Sequence, residues 1–185
     1  MNQVNKLTIL EEDNKILRES SEEVKFPIDS ETKKTINDMI EYLTNSQIDD
    51  IAEANNLRPG MGLAAIQLGI KKRFFVVVHE QEKNKTFNNY ILINPKIISN
   101  SEEKIYVEEG EGCLSINRET EGIVPRYARV TIQGSDLDGN LVTYRGREEL
   151  AIAFQHELDH LNGIMFTDYI DKNDPYKDEN KYRSI

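Results

Sequence analysis

The sequence predicts an α+β fold, with mainly antiparallel sheet and two principal helices. Three observations carry that prediction. Two apolar stripes recur at helical spacing. Short runs rich in β-branched and aromatic residues lie between them. An Asp-Gly pair is flanked by two such runs.

Ile36, Met39, Ile40 and Leu43 follow the i, i+3, i+4, i+7 spacing of a helix with one buried face, and Asp29 or Ser30 stands where its N-cap belongs. The polar residues 45–56 continue the helical pattern until Arg58-Pro59-Gly60-Met61-Gly62 breaks it. Residues 73–78 read as a buried strand, and 90–93 and 105–107 as further strands. Residues 128–133 and 141–144 flank Asp138-Gly139, which signals a two-residue hairpin turn. Leu150, Phe154, Leu158 and Leu161 form the second stripe, and Asn162-Gly163 suits the end of that helix. From Asp171 onward the chain is polar and is expected to be loosely held. No repeat, linker or low-complexity tract divides the 185 residues, so 1–185 is expected to form a single domain.

Composition excludes several roles. The chain is 38% apolar and 30% charged, which is globular composition at its polar end. Lys and Arg number 23 against 33 Asp and Glu, and a net charge of −10 argues against stable binding to nucleic acid or anionic lipid. The single cysteine permits no internal disulfide, and the start of the chain carries no secretory signal; both point to the cytoplasm. No apolar run approaches the roughly 18 residues of a membrane span.

The strongest chemical signal is His156-Glu157-Leu158-Asp159-His160. On a helix, residues four apart lie one above the other, so both imidazoles can reach one metal ion while Glu157 leans to the same side. The apolar stripe packs the opposite face. Two histidines do not complete a centre, because catalytic sites usually take three protein ligands. The HExxHxxGxxH pattern fails, since its closing position is Phe166. Glu179 stands at the separation of a downstream carboxylate ligand, as in a zinc peptidase. Cys113, in Glu111-Gly112-Cys113-Leu114-Ser115, is the other candidate. A lone cysteine is more often an inert core residue or a nucleophile. His79, the only histidine left to serve as its base, reads as an ordinary surface residue. In Gly60-Met61-Gly62-Leu63-Ala64-Ala65-Ile66-Gln67 the glycines let backbone lie close to a ligand. On local grounds Gln67 reads as a structural amide.

These three segments together resemble, in order and spacing, the three motifs of the peptide deformylase family. The resemblance spans essentially the whole chain, and Val124-Pro125-Arg126 also fits it. Ile66 departs from the pattern, where Pro or Thr is expected. The length, the 48–59 segment and the lack of a convincing C-terminal helix resemble the longer, Gram-positive-type subgroup.

The resemblance implies removal of the N-formyl group from nascent chains beginning with formyl-methionine, with release of formate. It implies Cys113, His156 and His160 as metal ligands. They would hold one divalent ion per chain, usually Fe2+, with Zn2+, Ni2+ or Co2+ able to substitute. A metal-bound water would attack the formyl carbon with Glu157 as general acid/base. Gln67 and the N–H of Leu114 would form the oxyanion hole, and Gly62 would bind substrate backbone, with Gly110 a further substrate-binding candidate. Met61, Ile152 and Ala153 are candidates to line a methionine pocket. Glu111, Asp159 and Arg126 would orient the centre, Arg126 pairing with Glu111. The partners implied are formyl-methionyl peptides and, in passing, the ribosome, met by a monomer.

Overall fold

The computed structural model describes residues 7–81 and 86–185. The first principal helix, α1 (Ser30–Ser46), begins where the Asp29 side chain accepts from the Thr32 N–H at 2.6 Å, so Asp29 is the N-cap. Its stripe of Ile36, Met39 and Leu43 is fully buried. Helix continues beyond Asn45, but in two pieces: α1 ends at Ser46 and α2 (Asp49–Asn55) restarts after a break at Gln47 and Ile48. Among the described residues, eight strands and one more α-helix follow: β1 (Gly62–Ala64), β2 (Phe74–Gln81), β3 (Thr86–Asn100), β4 (Lys104–Tyr106), β5 (Arg126–Tyr127), β6 (Arg129–Ser135), β7 (Leu141–Arg147), α3 (Glu149–Leu161) and β8 (Arg183–Ser184).

The mixture of helix and antiparallel sheet agrees with the sequence. One sheet has the order β1-β2-β3-β6-β7, antiparallel throughout. The other has the order β5-β4-β8, with β4 and β8 parallel. The run Phe74-Phe75-Val76-Val77-Val78 is apolar without alternation because both faces of β2 are covered. Phe74, Val76 and Val78 pack with Ile36, Met39 and Leu43 of α1. Phe75 and Val77 pack with Leu150, Ala151, Phe154 and Leu161 of α3. On its other side α3 meets the small sheet, where Ile152 joins Ile105 and Ala128. Helix α3 is therefore buried almost all round.

Three expectations need correction. The strand expected at 90–93 is part of the 15-residue β3, which passes Pro95 at a register shift between Ile93 and Lys96. A bulge is one of the few places a strand tolerates proline, and alternation breaks there, which hid the continuation. The β6–β7 loop is five residues, 136–140, since Ser135 already pairs with Leu141. The Asp136 carboxylate accepts from the N–H groups of Asp138 and Asn140, both at 2.9 Å, and this Asx-type arrangement sets the longer turn. The C-terminal tail is tied down. Its end pairs with β4 as β8, and Arg183 reaches Glu103 at 2.8 Å and Glu148 at 3.2 Å. Among the described residues, no helix is long and apolar enough to cross a membrane.

Candidate metal centre

Helix α3 presents His156 and His160 one turn apart, with ring centroids 4.9 Å apart at near right angles. Their Nε2 atoms stand 3.2 Å from each other, and the Cys113 Sγ is 3.3 Å from Nε2 of His160. One ligand atom from each of the three residues lies within 4.8 Å of the others, and all three residues are buried. Phe166, the residue at the position that would close HExxHxxGxxH, stacks on the His156 ring at 5.9 Å.

This cluster fits a cation. Two ring nitrogens so close in a dry site cannot both face each other with lone pairs unless a proton or a metal ion lies between them. The Glu111 Oε2 sits 2.9 Å from the His156 Nδ1, which fixes the proton there and leaves Nε2 free to ligate. One thiolate and two imidazoles suit a single divalent ion of borderline softness. Burial pushes both imidazoles toward neutrality. For His156 the neighbouring Cys113 and Glu111 outweigh burial and raise it well above its usual value. His160, with burial dominant and His156 beside it, falls well below.

Behind the histidines lies a buried ionic chain. Arg126 grips Glu111 with two bonds, Nε to Oε1 at 2.6 Å and Nη2 to Oε2 at 2.9 Å, and its Nη1 reaches Asp159 at 2.5 Å. Burial alone would raise Glu111, but Arg126 and His156 hold it down to about 2. Such a pair is stabilising only while every partner is present.

Glu157 is 3% exposed, and its Oε2 has no partner among the described residues. Burial raises its carboxyl to about 7. Gly62 faces it closely enough that any side chain there would displace it: a Cβ on Gly62 would come within 2.7 Å of the Glu157 Cγ. Gln67 is held at both ends of its amide. Its Oε1 accepts from the Ala64 N–H at 2.9 Å, while Nε2 donates to the Ser115 Oγ at 3.1 Å and faces the Cys113 Sγ at 3.6 Å.

A cleft of about 350 Å³ opens over this centre. Among the residues lining it are Met61, Gly62, Gln67, Gly110, Glu111, Cys113, Leu114, Ile152, Ala153, His156 and Glu157. His160, Asp159 and Arg126 stand behind that wall. Glu179 is elsewhere: it is exposed and accepts from the Tyr106 hydroxyl at 3.0 Å. His79 is half-buried, 3.6 Å from Glu149, and takes no part in the cluster. Sequence reasoning missed Val107, Glu149 and Arg58, which also line the cleft. Arg58 sits next to the proline and glycine that break the helical pattern, but nothing in its own neighbourhood marks a role.

Fold and site define a class: a mixed helix and antiparallel sheet protein with a buried Cys-His-His group able to hold one metal ion beside a buried carboxylate whose Oε2 has no partner among the described residues. Residues 6–176 match the family model of polypeptide deformylase. A peptide deformylase of Shouchella clausii is 50% identical over 170 residues, covering 91% of this chain and 92% of that relative. The crystal structure of peptide deformylase from Ehrlichia chaffeensis superposes with a TM-score of 0.72 at 33% identity, over 90% of this chain and 89% of that one. A peptide deformylase of Acinetobacter baumannii solved with Met-Ala-Ser bound has a TM-score of 0.70 at 28% identity, over 90% of this chain and 99% of that one. The chain belongs to the polypeptide deformylase family, hydrolases of protein biosynthesis that remove the N-formyl group from nascent peptides.

Proposed function

We propose that this chain, as one catalytic domain over residues 1–185 built around the helix that carries HExxH, hydrolyses the formamide at the amino terminus of formyl-methionyl peptides. The convergence of Cys113, His156 and His160 beside the buried Glu157 carries this proposal. Those three residues would hold one divalent ion, Fe2+ by preference, with Zn2+, Ni2+ or Co2+ as substitutes. When bound, the ion supplies Lewis-acid polarisation and lowers the pKa of a water molecule.

The remaining chemistry belongs to the protein. Glu157, raised toward neutrality by burial, takes a proton from the attacking water and hands it to the departing nitrogen. The water oxygen bonds to the formyl carbon, the C–N bond breaks, and formate and a free amine leave. Negative charge on the formyl oxygen is met by the Gln67 amide and the Leu114 N–H. A donor of this kind is worth about 3–4 kcal/mol in kcat. Gln67 arrives preorganised, because its carbonyl is pinned by the Ala64 N–H.

Strand β1 is the edge of its sheet, and Gly62 carries no side chain between that edge and Glu157, so peptide backbone can lie along it together with Gly110. Met61, Ile152 and Ala153 offer apolar wall to a methionine side chain. Glu111, Arg126 and Asp159 hold the His156 ring in place. The setting we propose is a cytoplasmic monomer that meets nascent chains in passing at the ribosome. Glu179 as third ligand, in a zinc peptidase, has no geometric support, being engaged by Tyr106.

The test is formate release from formyl-Met-Ala-Ser, with a casein digest as control and metal analysis alongside. Formate with no casein cleavage, proportional to bound metal, is expected. Casein cleavage without formate release would overturn the proposal.

A further inference from the structure

We propose that Arg58 is a positioning residue that aims the Leu114 N–H into the cleft by holding the other end of the same peptide unit. This rests on the role proposed above for that N–H.

Arg58 reaches from the loop before β1 across to the segment that follows Cys113. Its Nη2 donates to the carbonyl of Cys113 at 3.1 Å and of Ile116 at 2.7 Å. Its Nη1 donates to the carbonyl of Leu114 at 2.9 Å and to the Asn117 Oδ1. Three carbonyls from one short segment therefore turn toward a single guanidinium. In a trans peptide the C=O and N–H point in opposite directions. The Cys113 carbonyl accepts from Arg58 and, within its own turn, from the Ile116 N–H at 3.1 Å, and both bonds send the Leu114 N–H away from Arg58. That N–H finds no acceptor among the described residues, and Leu114 lines the cleft. The next N–H, of Ser115, is directed instead to the Cys113 Sγ at 3.4 Å.

A cation bound at the carbonyl end does more than orient. It polarises the peptide unit and strengthens the N–H at its other end as a donor. The requirement is for arginine: its rigid fork reaches several carbonyls at once, whereas lysine presents its donors at one point. The outer side of Arg58 is exposed, so no buried charge has to be compensated. Its own backbone is anchored. The Tyr42 hydroxyl donates to the Arg58 carbonyl at 3.3 Å, and the Gln47 Nε2 donates to the carbonyls of Gly60 at 3.1 Å and Val78 at 2.9 Å. Gly60 packs against Leu114 so closely that a Cβ there would meet the Leu114 Cδ1 at 2.7 Å. The clasp is thus continuous from α1 and β2 to the segment after Cys113.

The experiment compares Arg58→Gln and Arg58→Lys with the unaltered zinc-loaded protein. Three quantities are read: formate release from formyl-Met-Ala-Ser, metal per chain, and the 1H–15N shift and exchange rate of the Leu114 amide. Expected for Arg58→Gln is a fall in kcat of about 10- to 100-fold, below the full loss of an oxyanion donor, with KM within about twofold. Metal content stays constant and the Leu114 amide moves. Arg58→Lys recovers part of kcat, and Asn117→Ala, which leaves the three carbonyl bonds intact, keeps it. An unmoved Leu114 amide in Arg58→Gln overturns the clasp. A moved amide with unchanged kcat overturns its part in the reaction, as does loss of metal in step with activity. If the unaltered protein releases no formate, the proposed function fails instead, and the amide shift still decides the clasp.

Discussion

The Oε2 of Glu111 stands 2.9 Å from the Nδ1 of His156, a contact between residues 45 positions apart in the chain. The same carboxylate is gripped by Arg126, so the orientation of one imidazole is set from outside its own helix. Glu111→Gln keeps the shape and removes the charge. Metal retention, measured by chelator competition, is expected to fall about 10- to 100-fold, the usual effect of losing a partner that orients a ligand. Unchanged retention would mean that α3 alone fixes the ring.

The same contact gives a pH dependence with a definite sign. Arg126 and His156 hold Glu111 at about 2 against the effect of burial, below its ordinary 4.5. A depressed carboxyl contributes stability that is fully present above its unfolded value and is lost as pH falls through its folded value. The urea midpoint is therefore expected to drop between about pH 4.5 and pH 2. Glu111→Gln should flatten that part of the curve. Equal slopes in the two proteins would remove Glu111 as its source.

Cys113 and Glu179 separate the two metal-ligand assignments. Cys113 faces both histidines, whereas Glu179 is exposed and bonded to Tyr106. Cys113→Ser is expected to abolish formate release and to lower bound metal, and Glu179→Gln to leave both unchanged. The reverse pattern would restore the zinc-peptidase alternative.

Gly62 and Glu157 make a steric pair. A Cβ at position 62 would sit 2.7 Å from the Glu157 Cγ, so Gly62→Ala must push that carboxylate from its place. Loss of a positioned acid/base group costs about 10²- to 10⁴-fold in rate. Both Gly62→Ala and Glu157→Gln should fall in kcat by amounts in that range while metal per chain stays constant. If Gly62→Ala kept full turnover, the carboxylate would not need its present position.

Parts of this site were legible because the chain encodes them locally. His156 and His160 share a helix face whatever surrounds them, and the both-sided burial of β2 is written in Phe74-Phe75-Val76-Val77-Val78. Cys113 joins them from 43 residues before His156, a long-range contact that spacing alone left open and that the family resemblance supplied. Arg58 was invisible for a different reason. Its partners are mainly backbone carbonyls, which every residue carries, so no side-chain pattern marks the contact. The tail misled because its attachments are a parallel strand pair to β4 and ion pairs with Glu103 and Glu148, and neither leaves an apolar trace in the sequence.

The single cysteine makes oxidative loss traceable. Cys113 is 8% exposed and lines the cleft, so small oxidants can reach it. A thiolate can climb from sulfenic to sulfinic to sulfonic acid, each step adding one oxygen, and only the first is readily reversed. Iron held by this thiolate would be redox-active, whereas zinc has no redox chemistry of its own. In air, the iron form is expected to lose activity and metal together. The peptide containing Cys113 should gain one to three oxygens, while the zinc form and an anaerobic iron sample gain none. Because no other cysteine exists in the chain, oxygen found on cysteine has only one address. Full aerobic retention of iron and activity, or loss of activity with an unmodified Cys113 peptide, would rule out the thiolate as the vulnerable group.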